Sequence, residues 1–226
     1  MSKGLFITGT GTDVGKTYVT ALLTKALKEA GYSIGYYKAA LSGASSIATS
    51  DAGYVKEGAR LEEADSMLVP YVYEDAVSPH LAARWANHPV EFDVVMNGYD
   101  AVAKEFDCVV MEGSGGIVCP IREDEECSIM LTDFVKALHL PSLVIANAGL
   151  GTINAVVTTI SYMRQLDLPV SGILLNHWTG SLMEEDNIIM IEKLTGIPVI
   201  GVVREEATQL EIEVDKLIAL FQEAGR

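Results

Sequence analysis

Ten consecutive residues, Thr8-Gly9-Thr10-Gly11-Thr12-Asp13-Val14-Gly15-Lys16-Thr17, carry the clearest chemical signal in the chain. Glycines let successive backbone N–H groups curl around a polyphosphate, because no Cβ blocks the turn. A short apolar run, Leu5 to Thr8, precedes the segment and reads as a strand. An amphipathic stretch follows it, with Val19, Leu22, Leu23, Ala26 and Leu27 at helical spacing and Gly31 as a stop. Strand, glycine-rich loop, Gly-Lys-Thr and helix, in that order, describe a phosphate-binding loop. The helix starting near Lys16 adds about half a positive charge at its N-terminus. In such a loop the lysine reaches the β- and γ-phosphates and the Thr17 hydroxyl ligates Mg²⁺. The spacing departs from the usual G-x-x-x-x-G-K-[ST], since Thr10 stands five residues before Gly15 and Gly9 lies one earlier. The loop predicts nucleotide binding by Asp13, Val14, Gly15, Lys16, Thr17 and Tyr18, but does not say what receives the phosphate.

Other residues offer partners for that loop. Lys38 closes a strand of buried type, Ile34 to Lys38, where a second cation would face the γ-phosphate. Asp51 either caps a helix running through Ala52-Gly53-Tyr54 or ligates a metal, and Glu112 is either a structural ion pair or a second metal ligand. Mg²⁺ takes one or two carboxylates together with phosphate oxygens and waters, which Thr17, Asp51 and Glu112 would satisfy if their loops meet. Ala39 to Ser50 is small and polar and follows a strand, where open α/β sheets bind ligands. Gly151-Thr152-Ile153-Asn154 opens a strongly amphipathic helix. It is either an ordinary N-terminus capped by Thr152 or an anion site built of free N–H groups. Arg122-Glu123-Asp124-Glu125-Glu126 reads as a solvated charged loop.

The elements that must position these groups alternate. Apolar runs at Cys108–Met111, Leu143–Ala146, Ile173–Leu175 and Val199–Val203 join the two strands already named. Helical patterns lie at Ile129–Leu138, Ile153–Leu166, Met183–Leu194 and Leu210–Phe221. Nearly continuous apolar strands imply burial on both faces, and the β-α alternation implies a parallel sheet between helices. The expected fold is α/β, a P-loop NTPase-like single domain over 1–226, with a mostly parallel sheet of about seven strands and helices on both faces. With 226 residues the chain buries about 70% of its unfolded surface and needs no covalent staple.

Lys plus Arg is 16 against 31 Asp plus Glu, a net charge of −15. Such a surface repels phosphate backbones, so no general nucleic-acid or anionic-membrane partner is expected. A local positive pocket still binds a small anion, because exposed charges beyond about 8 Å are screened. Cys108, Cys119 and Cys127 form no C-x-x-C pair, and the four histidines lack metal-ligand spacing. No apolar run approaches 18 residues and no secretory leader is evident, so a cytoplasmic protein is expected.

The phosphate loop resembles the G-T-D-T-x-V-G-K-T signature of the dethiobiotin synthetases. Further segments resemble that family in order, from residue 4 to residue 176. They are Gly35-Tyr36-Tyr37-Lys38 with Ser42-Gly43, Ser50-Asp51-Ala52, Ser78-Pro79-His80, Glu112-Gly113-Ser114-Gly115-Gly116, Leu150-Gly151-Thr152-Ile153-Asn154 and Asn176. Gly11 stands where the signature has Asp, Asp13 where well-known members have Glu, and Ala39 where Pro follows the lysine. The resemblance implies an ATP- and Mg²⁺-dependent carboxylation and ring closure of 7,8-diaminopelargonate with CO₂, through a carbamate and a carbamic-phosphoric mixed anhydride. It implies that Lys16, Lys38, Thr12 and Ser42 serve catalysis and that Asn176 binds the base. It implies a homodimer in which Gly151, Thr152 and Asn154 of one subunit, with Ser42 of the other, hold the substrate. Asp13 would hydrogen-bond an amine or orient the loop. The competing reading is a partner-controlled ATPase of the ParA and MinD kind. Those proteins usually carry a further lysine early in the loop, and residues 9 to 14 contain none.

Overall fold

The structure, a computed structural model, describes residues 2–224. β1 (Lys3–Gly9) leads through the glycine-rich loop into α1 (Lys16–Glu29), then β2 (Ile34–Lys38) and β3 (Leu41–Ser42). A 3₁₀ turn at Ile47–Thr49 precedes α2 (Asp51–Gly58), α3 (Asp65–Leu68), β4 (Val72–Tyr73), α4 (Pro79–Trp85) and α5 (Phe92–Glu105). β5 (Cys108–Gly116) is followed by a hairpin of β6 (Pro120–Glu123) and β7 (Ser128–Met130), then α6 (Leu131–Ala137) and β8 (Ser142–Asn147). The chain continues through α7 (Thr152–Gln165), β9 (Val170–Asn176), α8 (Leu182–Thr195), β10 (Val199–Val202), α9 (Val214–Ile218) and β11 (Gln222–Glu223).

Seven strands form the main sheet, in the order β10-β9-β8-β1-β5-β2, with β11 antiparallel on the start of β1. The other pairings are parallel. Both faces are covered, which explains the unbroken apolar strands. Leu5 and Ile7 pack with Val19, Leu23 and Leu27 of α1, whereas Phe6 joins Val109, Met111, Phe134 and Val156 on the other face. The fold is therefore the expected α/β sandwich.

Two expected helices are shorter than their apolar patterns. Ile129 belongs to β7, and helix α6 starts only at Leu131, where the Asp133 carboxylate accepts from the Met130 N–H at 2.8 Å. The pattern Leu210–Phe221 is helical only over Val214–Ile218. Leu210 and Ile212 pack instead on the sheet, and Ile212 lies so close over Gly201 that a Cβ there would sit 2.5 Å from its Cδ1. The charged run is not simply solvated either. Arg122 is buried and its guanidinium meets Glu91, Asp124 and Glu126 at 2.7, 2.6 and 2.9 Å. The three cysteines are free. Among the described residues no helix is long and apolar enough to cross a membrane.

Candidate active site

Strand register builds the centre of the site. Glu112 of β5 stands opposite Ile7 of β1 on one side and Lys38 of β2 on the other. The phosphate loop leaves β1 two residues beyond Ile7, so loop, carboxylate and lysine lie at the carboxyl ends of three adjacent strands. Lys38 is 2% exposed and Glu112 fully buried. The Lys38 ammonium donates to Glu112 Oε1 at 3.0 Å and to Asp51 Oδ2 at 2.7 Å. The Thr17 hydroxyl donates to the same Glu112 oxygen at 2.9 Å, and the Tyr36 hydroxyl reaches Oε2 at 3.4 Å.

Asp51 is delivered by α2. Ser50 caps that helix, its hydroxyl accepting from the Gly53 N–H at 3.3 Å, so Asp51 is not the cap and its carboxylate is left for Lys38. Close packing fixes the approach: a Cβ on Gly53 would fall 2.1 Å from the Ile47 carbonyl oxygen.

Charge follows from this geometry. Burial works against the Lys38 ammonium, yet Glu112 and Asp51 overcome it and raise its pKa above the ordinary lysine value. Burial likewise opposes ionisation of Asp51, but Lys38 holds its pKa below the usual carboxylate range. Burial lowers the pKa of Lys16; Glu112 opposes this and Lys38 adds to it. The two lysines thus sit close enough to repel. Lys16 Nζ donates to the Gly11 carbonyl at 3.4 Å, within its own loop. Cys119 lies near both cations, but burial dominates and pushes its thiol up to about 11.

The loop itself curls through two left-handed residues, Asp13 (φ 59°) and Gly15 (φ 83°). Helix α1 carries no side-chain cap and no acidic residue in its first turn, so its N–H groups are open to an anion. Val14 is tied to the end of β9, where buried Asn176 donates Nδ2 to its carbonyl at 3.1 Å. Tyr18 donates its hydroxyl to the Ala207 carbonyl. A cavity of about 470 Å³ lies beside the loop, lined by Gly15, Thr17, Tyr18, Ser42, Gly43, Asp51 and Tyr54 among others. Ser42 is held at its wall by donating to the Val77 carbonyl at 2.6 Å. Thr12 is exposed on the loop near Gly115.

The segment Gly151-Thr152-Ile153-Asn154 does not line that cavity in the same chain. Gly151, rather than Thr152, is the N-cap of α7, with φ 92° and no side-chain cap. Thr152 is buried and its hydroxyl oxygen has no partner, while Asn154 is exposed.

Thr17, Asp51 and Glu112 offer only oxygen donors, gathered around one ammonium. That set fits Mg²⁺, a hard cation that keeps waters and phosphate oxygens as its remaining ligands. Among the described residues no group of three His, Cys, Asp or Glu could hold a metal by itself. Sequence reasoning missed Tyr36 and Ser114, whose hydroxyl donates to the Ala40 carbonyl at 2.9 Å. Tyr36 was findable: it lies two residues before Lys38 on one strand, hence on the same face.

A family model described as an AAA domain matches residues 3–211. An ATP-dependent dethiobiotin synthetase of Brachyspira hyodysenteriae is 49% identical over 212 residues, covering 93% of this chain and 96% of that one. Another, from Clostridium botulinum, is 43% identical and covers 99% of this chain and all of its own. Among solved structures, a ParA family ATPase from Chlorobium tepidum superposes with a TM-score of 0.57 at 14% identity, covering 97% and 90% of the two chains. A MinC:MinD complex of Aquifex aeolicus gives 0.56 at 14% identity, covering 97% and 86%. At that identity these two speak for the fold alone.

Proposed function

This chain belongs to the ATP-dependent dethiobiotin synthetase family, and from that premise we propose how its residues divide the work of forming dethiobiotin with ATP. The reaction joins 7,8-diaminopelargonate to CO₂. One amine adds to CO₂ and loses a proton, giving a carbamate. A carbamate oxygen then takes the γ-phosphoryl group, its new O–P bond replacing the bridge to ADP. The second amine attacks the carbonyl carbon of the mixed anhydride, closes the cyclic urea and expels phosphate.

One observation carries the reading: Lys38 is buried at the strand ends beside Lys16, bonded to Glu112 and Asp51. Phosphoryl transfer asks a protein mainly for positioning and for positive charge against the moving phosphoryl oxygens. Lys16 and the open N-terminus of α1 hold the β- and γ-phosphates, and Asp13 to Tyr18 cradle the nucleotide. Lys38 serves the γ-phosphoryl group and the carbamate oxygen. Thr12 and Ser42 hold the carbamate. Thr17, Asp51 and Glu112 hold Mg²⁺, which when bound supplies charge against the phosphate oxygens. Asn176 adjoins the base, since it closes the loop from the β9 side.

The substrate's carboxylate goes to the open start of α7, carried by Gly151, Thr152 and Asn154 of a second copy of the chain. Leu150 beside it is 93% exposed, and Leu182 and Ile189 of α8 are also exposed, an apolar surface suited to a dimer. Light scattering at micromolar concentration should give a dimer mass; monomer alone would contradict this assembly.

The test of the reaction is mass spectrometry of protein, MgATP, bicarbonate and the diamine. Diamine-dependent ADP together with the cyclic urea is the expected result. ATP hydrolysis stimulated by DNA or membrane, with no cyclic urea, would favour the switch-ATPase reading.

A further inference from the structure

The start of α7 owes its aim to a side chain on another helix. The chain reaches α7 from β8 through the turn Ala148–Gly151. The turn's N–H groups are anchored from one side: Ala148 donates to the Asn176 carbonyl at 2.8 Å, and Gly149 to Asn147 Oδ1 at 3.1 Å. Its carbonyls are held from another. Asn187 Nδ2 donates to the Ala148 carbonyl at 2.9 Å and reaches the Gly149 carbonyl at 3.4 Å. Asn187 lies within α8 and is only 7% exposed. An amide is costly to bury unless its hydrogen bonds are made, and here its donors go to these two carbonyls.

The base to which Asn187 is attached is itself fixed. The buried Glu184 carboxylate accepts from the N–H groups of Thr179, Gly180 and Ser181, and Ser181 in turn caps α8. Helix α8 is therefore a firm platform, and Asn187 is its link to the turn. Helix α7 receives no side-chain cap, and the Thr152 N–H donates to the Gly149 carbonyl at 3.3 Å, so the N–H groups of Ile153 and Asn154 are the first-turn donors that stay open. Their direction depends on how the turn before Thr152 is held.

We propose that Asn187 is a positioning residue for the substrate's carboxylate, fixing the Ala148–Gly151 turn so that the open N–H groups of α7 face the anion. This rests on the reading that the carboxylate binds at that helix start. Asn187 does not touch substrate, because its donors are spent on the backbone.

The test compares the wild-type dimer with Asn187→Leu and the isosteric Asn187→Asp, using two diamines. One is 7,8-diaminopelargonate; the other is 2,3-diaminononane, which has a methyl in place of the carboxyl. The wild type should prefer the acid. Both variants should raise KM for the acid by about tenfold, the worth of one good hydrogen bond or a displaced pair. KM for 2,3-diaminononane, KM for ATP and kcat should stay within about twofold, a pattern that general loosening of the fold cannot give. Hydrogen exchange at Ala148, Gly149 and Thr152, whose N–H groups are bonded within or to the turn, should speed up in whichever variant is folded, a readout independent of turnover. Equal loss on both diamines, or an unchanged acid KM and unchanged exchange, overturns the role of Asn187 alone. A wild type that does not prefer the acid overturns the carboxylate reading as well.

Discussion

Replacing Lys38 by Met tests the centre of the site most directly. The change keeps length and apolar stem and removes the ammonium. Glu112 is then left fully buried with a negative charge, whereas the Asp51 side chain is 53% exposed and turns to water. Breaking a buried ion pair by removing one partner costs about 3–5 kcal/mol, and the exposed half of this arrangement adds little. Glu112 also keeps the hydroxyls of Thr17 and Tyr36. The expected cost is therefore near the lower bound, about 3 kcal/mol. For a chain of this size that lowers Tm by roughly 6–12 °C. The assay is urea denaturation followed by far-UV circular dichroism, without nucleotide or metal. Adding Glu112→Gln removes the orphaned charge, so the double variant should recover most of the loss. Millimolar Mg²⁺ should stabilise Lys38→Met more than it stabilises the wild type, because the cation no longer competes with an ammonium for the same oxygens. A loss under about 1 kcal/mol, or strictly additive costs in the double variant, would refute the argument that Glu112 relies on Lys38. In turnover, Lys38→Met should lower kcat far more than it raises KM for ATP; equal losses would reduce Lys38 to a binding residue.

Two other perturbations follow from single contacts. Burial holds the Glu63 carboxyl at about 7, against the Tyr36 N–H that it accepts at 2.9 Å. The native carboxyl keeps a proton that the unfolded chain gives up near 4.3, so its contribution to stability falls as pH rises from about 4.5 to about 7. Glu63→Gln should remove about 3 kcal/mol of that fall between pH 4.5 and pH 8; denaturation curves with the same pH slope as wild type would contradict it. At Gly15, φ is +83° and a Cβ would fall 2.0 Å from Asn176 Nδ2, so Gly15→Ala should weaken ATP binding at least about tenfold by calorimetry. Gly11→Ala, with nothing within 4 Å of its Cβ, should bind ATP nearly as wild type, and equal affinity in both variants would deny the loop its required curl.

Much of this arrangement was legible from residue types. Gly-Lys-Thr after an apolar strand locates a phosphate loop, and the run Ile34–Lys38, after Gly31 and Ser33, matches β2. Strand order was not legible, and with it the reason that Lys38 and Glu112 meet: β2 and β5 are neighbours although residues 39 to 107 lie between them in the chain. Helix α5 is not legible even though Val95, Met96, Tyr99 and Val102 have helical spacing, because Asn97, Gly98 and Asp100, poor helix formers, interrupt the pattern. Residues 210–212 misled in the opposite direction. Their apolar spacing suits a helix, but the bare surface over Gly201 draws Ile212 onto the sheet, and the segment forms neither helix nor strand. Asn187 gave no local signal, since an amide among polar helix neighbours looks like surface until the backbone carbonyls opposite it are known.

The thiol of Cys119 has a consequence for how this protein withstands damage. Two nearby lysines would ordinarily make such a sulfur a ready nucleophile, but its seclusion outweighs them and keeps it protonated, with a pKa of about 11. At pH 7 only roughly one molecule in ten thousand carries the thiolate that peroxide or an alkylating reagent attacks. The cationic cradle therefore holds a sulfur atom that stays chemically silent, and oxidative stress should exhaust the half-buried Cys127 before it reaches the machinery.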